Sequence, residues 1–352
     1  PENPDIYYII LDGYPSNDYF LREFGYDNSD FTDALEERGF FVAYDSLSNY
    51  GATLGSLPSS LNMRYLTEDD RLFSADSVAY ARWLLANNKT AYDLQERGYE
   101  YIFMLSGFVS PSDIADINID FYPRGPHYIE TDGVQDNSWY YKQPFWPLLV
   151  KTTMAYPLED RLVTNGDDRR YGWYDEPQRI LAIFDEAEKI PLREEATFSF
   201  IHIIKPHEPV SFDKHGNIIK RLPTQRDNFF AQLEFINRRT LQMIDSILAQ
   251  SSVPPIVIIQ GDHGSRLGDA RRGSRDMTFF EILNAYHFPN GGEKVLSSSI
   301  TPVNTFRVMF NYYFGTDYEL LEDHFYNMPD EYDELFNLIE VDIDAWRRSW
   351  KK

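Results

Sequence analysis

The chain has 352 residues, of which 43% are hydrophobic and 16% are aromatic. This is enough for one large domain or two small ones with a sizeable core. The formal net charge of -23 excludes nucleic acid as a partner, because a phosphate backbone would be repelled. The absence of cysteine excludes disulfides, thiolate metal sites and cysteine nucleophiles. No apolar run reaches the roughly 18 residues needed to span a bilayer.

The first predicted element is a strand over residues 5–11, rich in β-branched and aromatic side chains, which ends at Asp12 and Gly13. Two short helices and a short strand follow, predicted over residues 18–24, 30–38 and 40–45. The chain then reaches Asn49 and a stretch of small residues that begins at Thr53.

The stretch from Thr53 is small and apolar, as the start of a tightly packed helix would be. A threonine there has its hydroxyl among free backbone N–H groups at the positive end of the helix dipole. This placement lowers the cost of an alkoxide and attracts an anionic substrate. The alternative is that Thr53 is only an N-cap, which contributes about 1 kcal/mol to stability.

A long stretch without regular periodicity, residues 107–175, interrupts the chain after a predicted helical region (77–97) and a strand (99–105). It is rich in Tyr, Trp, Pro and Asp, and connections of this length are usually functional or disordered. Residues 145–156 either contact a bilayer interface or a missing segment, or pack onto their own domain.

A further strand is predicted over residues 197–204, after a helix over residues 178–190. It leads to His207, which stands between two prolines that fix φ on each side and can hold one imidazole at the strand end. His202 lies inside the strand, so we expect it to belong to the core or to support the site.

The β-branched residues 256–259, between Pro255 and Gly261, predict another strand, buried on both faces, which leads to Asp262 and His263. Adjacent residues leave a strand on opposite sides, so both face one ion only if the backbone turns, which Gly261 and Gly264 permit. The alternative is a surface turn in which Asp262 caps a helix and His263 is solvated.

The remaining elements complete an α/β pattern, with helices over residues 228–249 and 301–314, a strand over 282–287 and an acidic, partly helical tail. We predict a mostly parallel central sheet with helices on both faces, whose ligands lie at the carboxyl ends of the strands. The predicted domain covers residues 1–316, with an irregular aromatic insertion at about 107–175. An acidic extension over residues 317–352 packs on it.

The strand ends and the helix start together form one pattern of oxygen and imidazole ligands around a hydroxyl: Asp12, His207, Asp262 and His263 with Thr53. Such a set suits Zn²⁺ or Mn²⁺ better than Ca²⁺, which prefers oxygen ligands only. A divalent cation touching the Thr53 hydroxyl lowers its pKa and polarises a phosphoryl or sulfuryl oxygen. The implied chemistry is in-line displacement at a tetrahedral anionic centre.

Three of these features resemble the alkaline phosphatase superfamily: Asp12 after a hydrophobic strand, the helix at Thr53, and residues 262–264 with the sequence Asp-His-Gly. The resemblance is to its sulfatase-like branch, which contains lipoteichoic acid synthases and phosphoethanolamine transferases. It covers most of the chain, from Ile6 to about Phe314, and implies an alkaline-phosphatase-like fold.

The sulfatase motif is matched in part. Thr53 occupies the nucleophile position, and three further positions match, at Ser56, Arg64 and Tyr65, whereas Gly55 and Leu57 replace the motif's Pro and Arg. Sulfatases also begin with paired Asp residues, where this chain has Asp12-Gly13 alone. Threonine cannot be converted to formylglycine, so the resemblance favours phosphoryl chemistry through a covalent phospho-threonine.

The resemblance further implies that one metal ion is bound by Asp12, Thr53, Asp262 and His263. His207 matches a histidine that binds substrate or a second metal in the transferases, and His287 is a candidate for completing that second site. Candidates for contacting the substrate are His207, Arg266, Asn49, Arg64 and Arg124. Arg266 is the best placed of the arginines because it follows the metal ligands by three residues, although each arginine can equally be an ordinary surface residue.

The transferases of this branch are held outside the cytoplasmic membrane by amino-terminal membrane helices. The resemblance therefore implies an extracytoplasmic, membrane-tethered enzyme whose anchor is a segment that this chain does not contain. Its substrates would be phospholipids or phosphorylated glycans, the aromatic residues 137–156 would face the bilayer, and we expect a monomer.

Three functions remain open from the sequence. The favoured one is a metal-dependent phosphotransferase. The second is a hydrolase on the same fold, either a phosphodiesterase or an unusual sulfatase, which differs only in using water as the acceptor. The third is a non-catalytic binding domain that retains the fold.

Overall fold

The computed structural model describes residues 3–67, 70, 77–104, 120–122, 176–222, 225–265, 267, 277–327, 336, 338–343 and 345. Within these ranges, no helix combines the length and the apolar composition needed to cross a bilayer.

The strands of the described part are β1 (Ile6–Leu11), β2 (Phe41–Val42), β3 (Glu100–Met104), β4 (Asp120–Tyr122), β5 (Thr197–Ile203), β6 (Val210–Phe212), β7 (Ile218–Leu222), β8 (Ile256–Gln260), β9 (Asn284–His287), β10 (Tyr326–Asn327) and β11 (Ile339–Glu340). Seven form one sheet in the order β2-β9-β8-β1-β5-β3-β4. The run from β8 to β4 is parallel, whereas β9 is antiparallel to both β8 and β2. The predicted mostly parallel α/β sheet is confirmed.

Eight α-helices lie in the described ranges: α1 (Asn17–Phe24), α2 (Ser29–Glu37), α3 (Thr53–Asn62), α4 (Ser77–Ala86), α5 (Lys89–Gln95), α6 (Glu176–Ala187), α7 (Arg226–Gln250) and α8 (Pro302–Phe314). Apolar side chains of α1, α2, α6 and α7 pack in one core cluster, and those of α3, α4, α5 and α8 pack in another. The two clusters lie on opposite faces of the sheet, so the predicted helices on both faces are also confirmed.

Strand β1 is the central strand of the seven-stranded sheet, between β5 and β8. All six of its residues are fully buried, and they alternate between the two core clusters. Burying one such side chain contributes about 1.5–3 kcal/mol. Because a parallel strand covered on both faces needs apolar residues at every position, the sequence of β1 suits this place.

The region predicted as one helix over residues 77–97 is two helices, because Asn88 ends one and starts the next. Its Nδ2 donates to the carbonyl of Leu85 at 3.0 Å, and its Oδ1 accepts from the N–H of Ala91 at 2.8 Å. An asparagine that caps in this way competes with a continuous helix. Strand β4 is a second difference, since it lies within residues 107–175, where we predicted no regular element.

Residues 317–327 run back across the domain toward α3 and form no helix. The N–H of Tyr326 donates to the carbonyl of Asn49 at 2.9 Å, and the Tyr65 hydroxyl donates to the carbonyl of Glu322 at 2.7 Å. Strand β10 pairs antiparallel with β11. These contacts join the C-terminal residues to the segments before and after α3.

Candidate metal and phosphoryl site

The first candidate ligand, Asp12, directly follows β1 and is 3% exposed. Its N–H donates to the carbonyl of Ile203, at the end of β5, at 3.0 Å. Gly13 follows with φ of 63°, a conformation that glycine adopts without steric cost. A Cβ at Gly13 would lie 3.3 Å from Cδ2 of His207 and 3.6 Å from Cε1 of His263. The two imidazoles therefore pack directly against this glycine.

Two glycines, Gly261 and Gly264, flank the ligand pair that follows β8. We predicted that they permit a turn through backbone freedom, but neither takes a positive φ. A Cβ at Gly261 would lie 2.2 Å from the carbonyl oxygen of Tyr14, and one at Gly264 would lie 2.2 Å from that of Thr278. The reason for glycine here is thus the close approach of neighbouring backbone, which leaves no room for a side chain.

Asp262 is fully buried, and its two carboxylate oxygens have different surroundings. Oδ1 accepts hydrogen bonds from the N–H groups of Gly13 at 2.9 Å and His263 at 3.0 Å. Among the described residues, Oδ2 of Asp262 and Oδ1 of Asp12 have no hydrogen-bond partner. Two buried carboxylate oxygens in this state are costly unless a cation or a proton satisfies them.

The imidazole of His263 points its free nitrogen at these two oxygens. Its Nδ1 lies 2.7 Å from the carbonyl oxygen of Gly264, which can only accept, so Nδ1 carries the hydrogen and Nε2 keeps a lone pair. Nε2 lies 3.6 Å from Oδ1 of Asp12 and 3.7 Å from Oδ2 of Asp262. A lone-pair nitrogen thus lies near one unpartnered oxygen of each buried carboxylate, and these are donor types that a divalent cation binds.

His207 stands beside this group on the loop after β5. Its N–H donates to the carbonyl of Asp12 at 3.1 Å, and its Nδ1 donates to the carbonyl of Glu208 at 2.8 Å, which leaves a lone pair on Nε2. Both X-Pro bonds that flank it are cis. Asp12, His207 and His263 each offer a ligand atom within 4.8 Å of the others.

His202 approaches Asp12 from the other side. It is 1% exposed, and its Nε2 lies 3.0 Å from Oδ2 of Asp12. Asp12, His202 and Asp262 form a second group whose ligand atoms lie within 4.8 Å of one another. Sequence reasoning expected His202 in the core or in a supporting role, and its place inside a strand gave no sign that it reaches a carboxylate.

The surrounding imidazoles determine the charge of Asp12. Burial raises the pKa of its carboxyl, but the charge that His207 carries when protonated, together with the hydrogen bond and the charge of protonated His202, outweighs burial, with a further contribution from protonated His263. The net pKa lies well below the usual value, so Asp12 is ionised at neutral pH. Two carboxylates and nearby imidazoles form a donor set that fits a divalent cation such as Zn²⁺ or Mn²⁺.

Thr53 is the first residue of α3. Ala52 occupies the N-cap position without a side-chain capping hydrogen bond, so the alternative that Thr53 is the N-cap is wrong. The start of this helix is tied to Asp262 through Ser48, whose Oγ donates to the Asp262 carbonyl at 2.6 Å and lies 3.2 Å from Oγ of Ser56. Ser56 is one helical turn beyond Thr53, so the first turn of α3 lies next to the segment that holds the ligand pair.

Two residues predicted to bind substrate have other partners. Asn49 is 1% exposed, and its side chain bonds to Val303 N–H, the His324 carbonyl and the Tyr65 hydroxyl. Arg64 follows the far end of α3 and forms a bidentate ion pair with Asp70 at 2.7 and 3.0 Å. Helix α3 has ten residues, or about 15 Å, which separates Arg64 from Thr53. Both side chains thus join segments of the chain to one another, and their contact with substrate stays a prediction.

His287 lies at the wrong end of the sheet to complete a second metal site. It pairs with Val257, five residues before Asp262, which is about 16 Å along a strand. Its Nδ1 lies 2.8 Å from the carbonyl oxygen of Pro255. The predictions for Arg266, for Arg124 and for residues 137–156 concern positions outside the described residues.

Lys205 is a structural feature that sequence reasoning missed. It is fully buried, and its ammonium donates to the Glu176 carboxylate, to the carbonyl of Pro209 at 3.0 Å and to that of His207 at 3.3 Å. A buried lysine needs such partners. Glu176 is distant from Lys205 in the sequence. The only sequence feature that could have indicated a role for Lys205 was its position two residues before His207.

Neither a protein-family model nor a curated protein sequence matches the chain, whereas solved structures do. The C-terminal periplasmic domain of EcEptC from Escherichia coli, in a complex with Zn, matches with a TM-score of 0.56 and 9% identity over 98% of this chain and 94% of that chain. The corresponding domain of phosphoethanolamine transferase EptC from Campylobacter jejuni gives 0.50 and 11%, over 96% and 95%. Phosphonate monoester hydrolase of Agrobacterium radiobacter gives 0.55 and 10%, over 92% and 80%.

The chain thus has the alkaline-phosphatase-like α/β fold, which a protein of the alkaline phosphatase superfamily from Vibrio parahaemolyticus also shares. The resemblance to the sulfatase-like branch is confirmed at the level of the fold. The particular proteins that share it include both a transferase and a hydrolase.

Proposed function

We propose that this chain is the catalytic domain of a metal-dependent phosphotransferase that acts through a covalent phospho-threonine at Thr53. One observation carries the proposal: a buried imidazole nitrogen of His263 faces oxygens of Asp12 and Asp262, at 3.6 and 3.7 Å, that have no hydrogen-bond partner in the described part of the chain. The first turn of α3, which begins at Thr53, is joined to Asp262 through Ser48.

Asp12, Asp262, His263 and the Thr53 hydroxyl would hold the cation, which is Zn²⁺ or Mn²⁺. When bound, the cation would act as a Lewis acid that lowers the pKa of a hydroxyl and neutralises charge on phosphoryl oxygens. These two carboxylate oxygens support this assignment, because within the described ranges they have no hydrogen-bond partner. The occurrence of a structural neighbour in a complex with Zn also supports it.

In the first step, Thr53 Oγ1 attacks the phosphorus of the donor. The Oγ1–P bond forms, the bond from phosphorus to the donor alcohol oxygen breaks, and its electron pair leaves with that oxygen. The proton lost by Thr53 ends on the departing alcohol, and His207 is the proposed carrier because its Nε2 keeps a lone pair beside Asp12.

In the second step, a hydroxyl of the acceptor attacks the same phosphorus and the Oγ1–P bond breaks, which restores Thr53. The acceptor proton returns to Thr53 along the same path. The helix start at Ala52, which has no side-chain cap, favours the negative charge of the phosphoryl group at both steps.

The substrate class we propose is a phospholipid or a phosphorylated glycan at the extracytoplasmic face of a membrane. The support comes from the structural neighbours, two of which are periplasmic domains and one of which is a phosphoethanolamine transferase. We propose that the domain acts as a monomer, tethered through a segment outside this chain.

A hydrolase is the second candidate, with water in place of the acceptor alcohol. The fold shared with phosphonate monoester hydrolase favours it specifically. Both candidates pass through the same phospho-threonine, so product analysis with and without an added alcohol distinguishes them. Transfer of the phosphoryl group to glycerol supports the transferase, and release of the group to water alone supports the hydrolase.

Replacement of Thr53 tests the proposal. Thr53→Ala should lower turnover of an aryl phosphodiester by roughly 10⁴-fold or more, as loss of a covalent nucleophile does. Thr53→Ser should retain part of the activity, because it keeps a hydroxyl. Intact-mass spectrometry of the quenched wild type should show a mass gain of one phosphoryl group together with the ester group that it keeps after the aryl alcohol leaves, localised by fragmentation to Thr53.

Thr32→Ala is a matched control. Thr32 is buried on α2, and its hydroxyl donates to the Ser29 carbonyl at 3.0 Å, on the opposite face of the sheet from α3. This variant should keep both activity and label. Full turnover by folded Thr53→Ala would remove the nucleophile from the proposal, and a label on another residue would do the same.

A further inference from the structure

The two oxygens of Asp12 are not equivalent. Oδ2 lies 3.0 Å from Nε2 of His202, whereas Oδ1 has no hydrogen-bond partner among the described residues and faces Nε2 of His263 at 3.6 Å. A carboxylate can bind a cation with one oxygen or with both. Here one oxygen is engaged by a ring nitrogen before any cation arrives.

The position of His202 is fixed by the sheet. It pairs with Ile10 in the register of β5 and β1, it is 1% exposed, and its ring lies 6.2 Å from that of Phe200 at an interplanar angle of 30°. Its ring therefore has little freedom to release Asp12. The hydrogen bond between the two side chains is a built feature of the strand ends.

We propose that His202 is a positioning residue that keeps Asp12 a one-oxygen ligand of the cation, and this inference rests on the function proposed above. A donor on Oδ2 leaves only Oδ1 for the metal. A site with one oxygen from Asp12, one from Asp262 and one nitrogen from His263 leaves one tetrahedral position for the Thr53 hydroxyl. Tetrahedral geometry with nitrogen and oxygen donors is the preference of Zn²⁺, whereas Mn²⁺ suits larger sets of oxygen ligands.

A competing arrangement is that His202 itself ligates the cation, since its ligand atom lies within 4.8 Å of those of Asp12 and Asp262. The two arrangements differ in the state of Nε2. A positioning histidine keeps its proton on Nε2 when the metal binds, and a ligating histidine loses it.

The first experiment uses the wild-type protein with ¹⁵N-labelled histidine and observes the ring nitrogens by NMR during zinc titration. Nε2 of His263 should shift on zinc binding, whereas Nε2 of His202 should remain protonated. A ligation shift at Nε2 of His202 overturns the proposal.

The second experiment compares His202→Leu with His202→Gln by chelator competition for zinc and manganese. The glutamine amide can donate to Oδ2, so His202→Gln should bind zinc within about threefold of wild type. His202→Leu should lose about 10- to 100-fold in zinc affinity, as loss of an outer hydrogen-bond partner does. Its manganese affinity should fall less, because Asp12 can then bind with both oxygens.

Cobalt substitution gives an independent readout of geometry. Four-coordinate Co²⁺ absorbs visible light more strongly than six-coordinate Co²⁺. Wild type and His202→Gln should show the strong band, and His202→Leu should show a weaker one. Unchanged zinc affinity and an unchanged cobalt band in His202→Leu would overturn the inference, as would a glutamine variant that behaves like the leucine variant.

His287→Leu is the matched control, because His287 bonds to the Pro255 carbonyl at the other end of the sheet. It should leave zinc affinity unchanged. If His202→Leu does not fold, His202→Met, which also lacks a donor, takes its place. A wild-type protein that binds no zinc at all contradicts the proposed function. Normal zinc binding by the wild type, with the same affinity in the His202 variants, contradicts only this inference.

Discussion

The candidate site depends on the absence of a side chain at Gly13. The residue has a positive φ and lies against the rings of His207 and His263, so a Cβ there would crowd the His207 ring at 3.3 Å and contact the His263 ring at 3.6 Å. The backbone conformation and the packing both require glycine. These two requirements can be separated, because Gly25 has nearly the same φ, 59°, and a Cβ there would meet none of the described residues within 4 Å.

Gly13→Ala should therefore lower the free energy of unfolding by about 1–2 kcal/mol and also weaken zinc binding. The first loss comes from strain at a positive φ, and the second comes from a shift of the His207 ring, which lies beside the ligand atoms of Asp12 and His263. Gly25→Ala should show only the loss of stability. Urea denaturation and chelator competition on both variants measure the two effects, and equal zinc affinity in Gly13→Ala and Gly25→Ala would contradict the packing argument.

At this scale the sequence indicated the candidate ligands but not their partners. Asp12, Asp262 and His263 could be predicted because polar residues directly follow apolar strands, and parallel strand ends meet at one edge. The partners of Asn49 and His202 could not, because each depends on residues more than 150 positions away. Residue type alone does not distinguish an asparagine that contacts substrate from one that joins three segments.

The loop after β5 carries His207, and buried hydrogen bonds fix its backbone. The ammonium of Lys205 bonds to the carbonyls of His207 and Pro209 and to Glu176 at the start of α6. From the other side, Nε2 of Gln232 on α7 donates to the Pro206 carbonyl at 3.1 Å. The geometry of this element thus depends on a buried ion pair and on a contact from a helix.

Lys205→Met should destabilise the protein by about 3–5 kcal/mol, because it leaves the carboxylate of Glu176 buried without its cation. Adding Glu176→Gln in the same chain should restore part of this loss. Lys189→Met is the control, since Lys189 pairs with Glu186 at the surface and is 60% exposed. That change should cost less than about 1 kcal/mol. Equal losses for Lys205→Met and Lys189→Met in urea unfolding would contradict the role assigned to the buried pair.

The long elements could be predicted from their patterns, and the interruptions could not. Strands β1 and β8 were evident as β-branched runs, and α7 was evident from its helical period. The break at Asn88 depends on side-chain hydrogen bonds that compete with helix, and β4 has only three residues, which is too short for periodicity.

Across the whole molecule, the proposed site joins residues that are far apart in the chain. The hydrogen bond from Gly13 to Asp262 alone spans 249 positions. A cation that bridges the ends of β1 and β8 binds the folded chain and not the unfolded one, so it should stabilise the entire domain.

Zinc at 100 times its Kd should raise the free energy of unfolding of the wild type by about 2.7 kcal/mol. Asp262→Asn keeps the oxygen that accepts from the two backbone N–H groups but removes the negative ligand. If its affinity falls about 100-fold, the gain at the same zinc concentration is below about 1 kcal/mol. Urea denaturation with zinc or with a chelator measures both values.

Asp245→Asn controls for the loss of charge, because Asp245 is exposed and pairs with Arg38. It should keep the full stabilisation by zinc. A zinc effect of equal size in wild type and Asp262→Asn would remove Asp262 from the ligand set.

The fold class followed from the alternation of strands and helices, but the strand order did not. Strand β9 is antiparallel to its neighbour β8, and the connection between them, residues 261–283, has no sequence signature of direction. The order is set by which apolar faces fit together once the chain is folded, and a periodicity shows only that a face exists.

The central position of β1 in the sheet also affects how the chain folds during its synthesis. This strand ends at Leu11, yet one of the strands that flank it, β8, ends at residue 260. At about 5–20 residues per second, the nascent β1 waits roughly 12–50 s for that neighbour. During this interval β1 can pair with β5 but lacks its other native neighbour, so we expect one edge of this apolar strand to stay unpaired until β8 has been made.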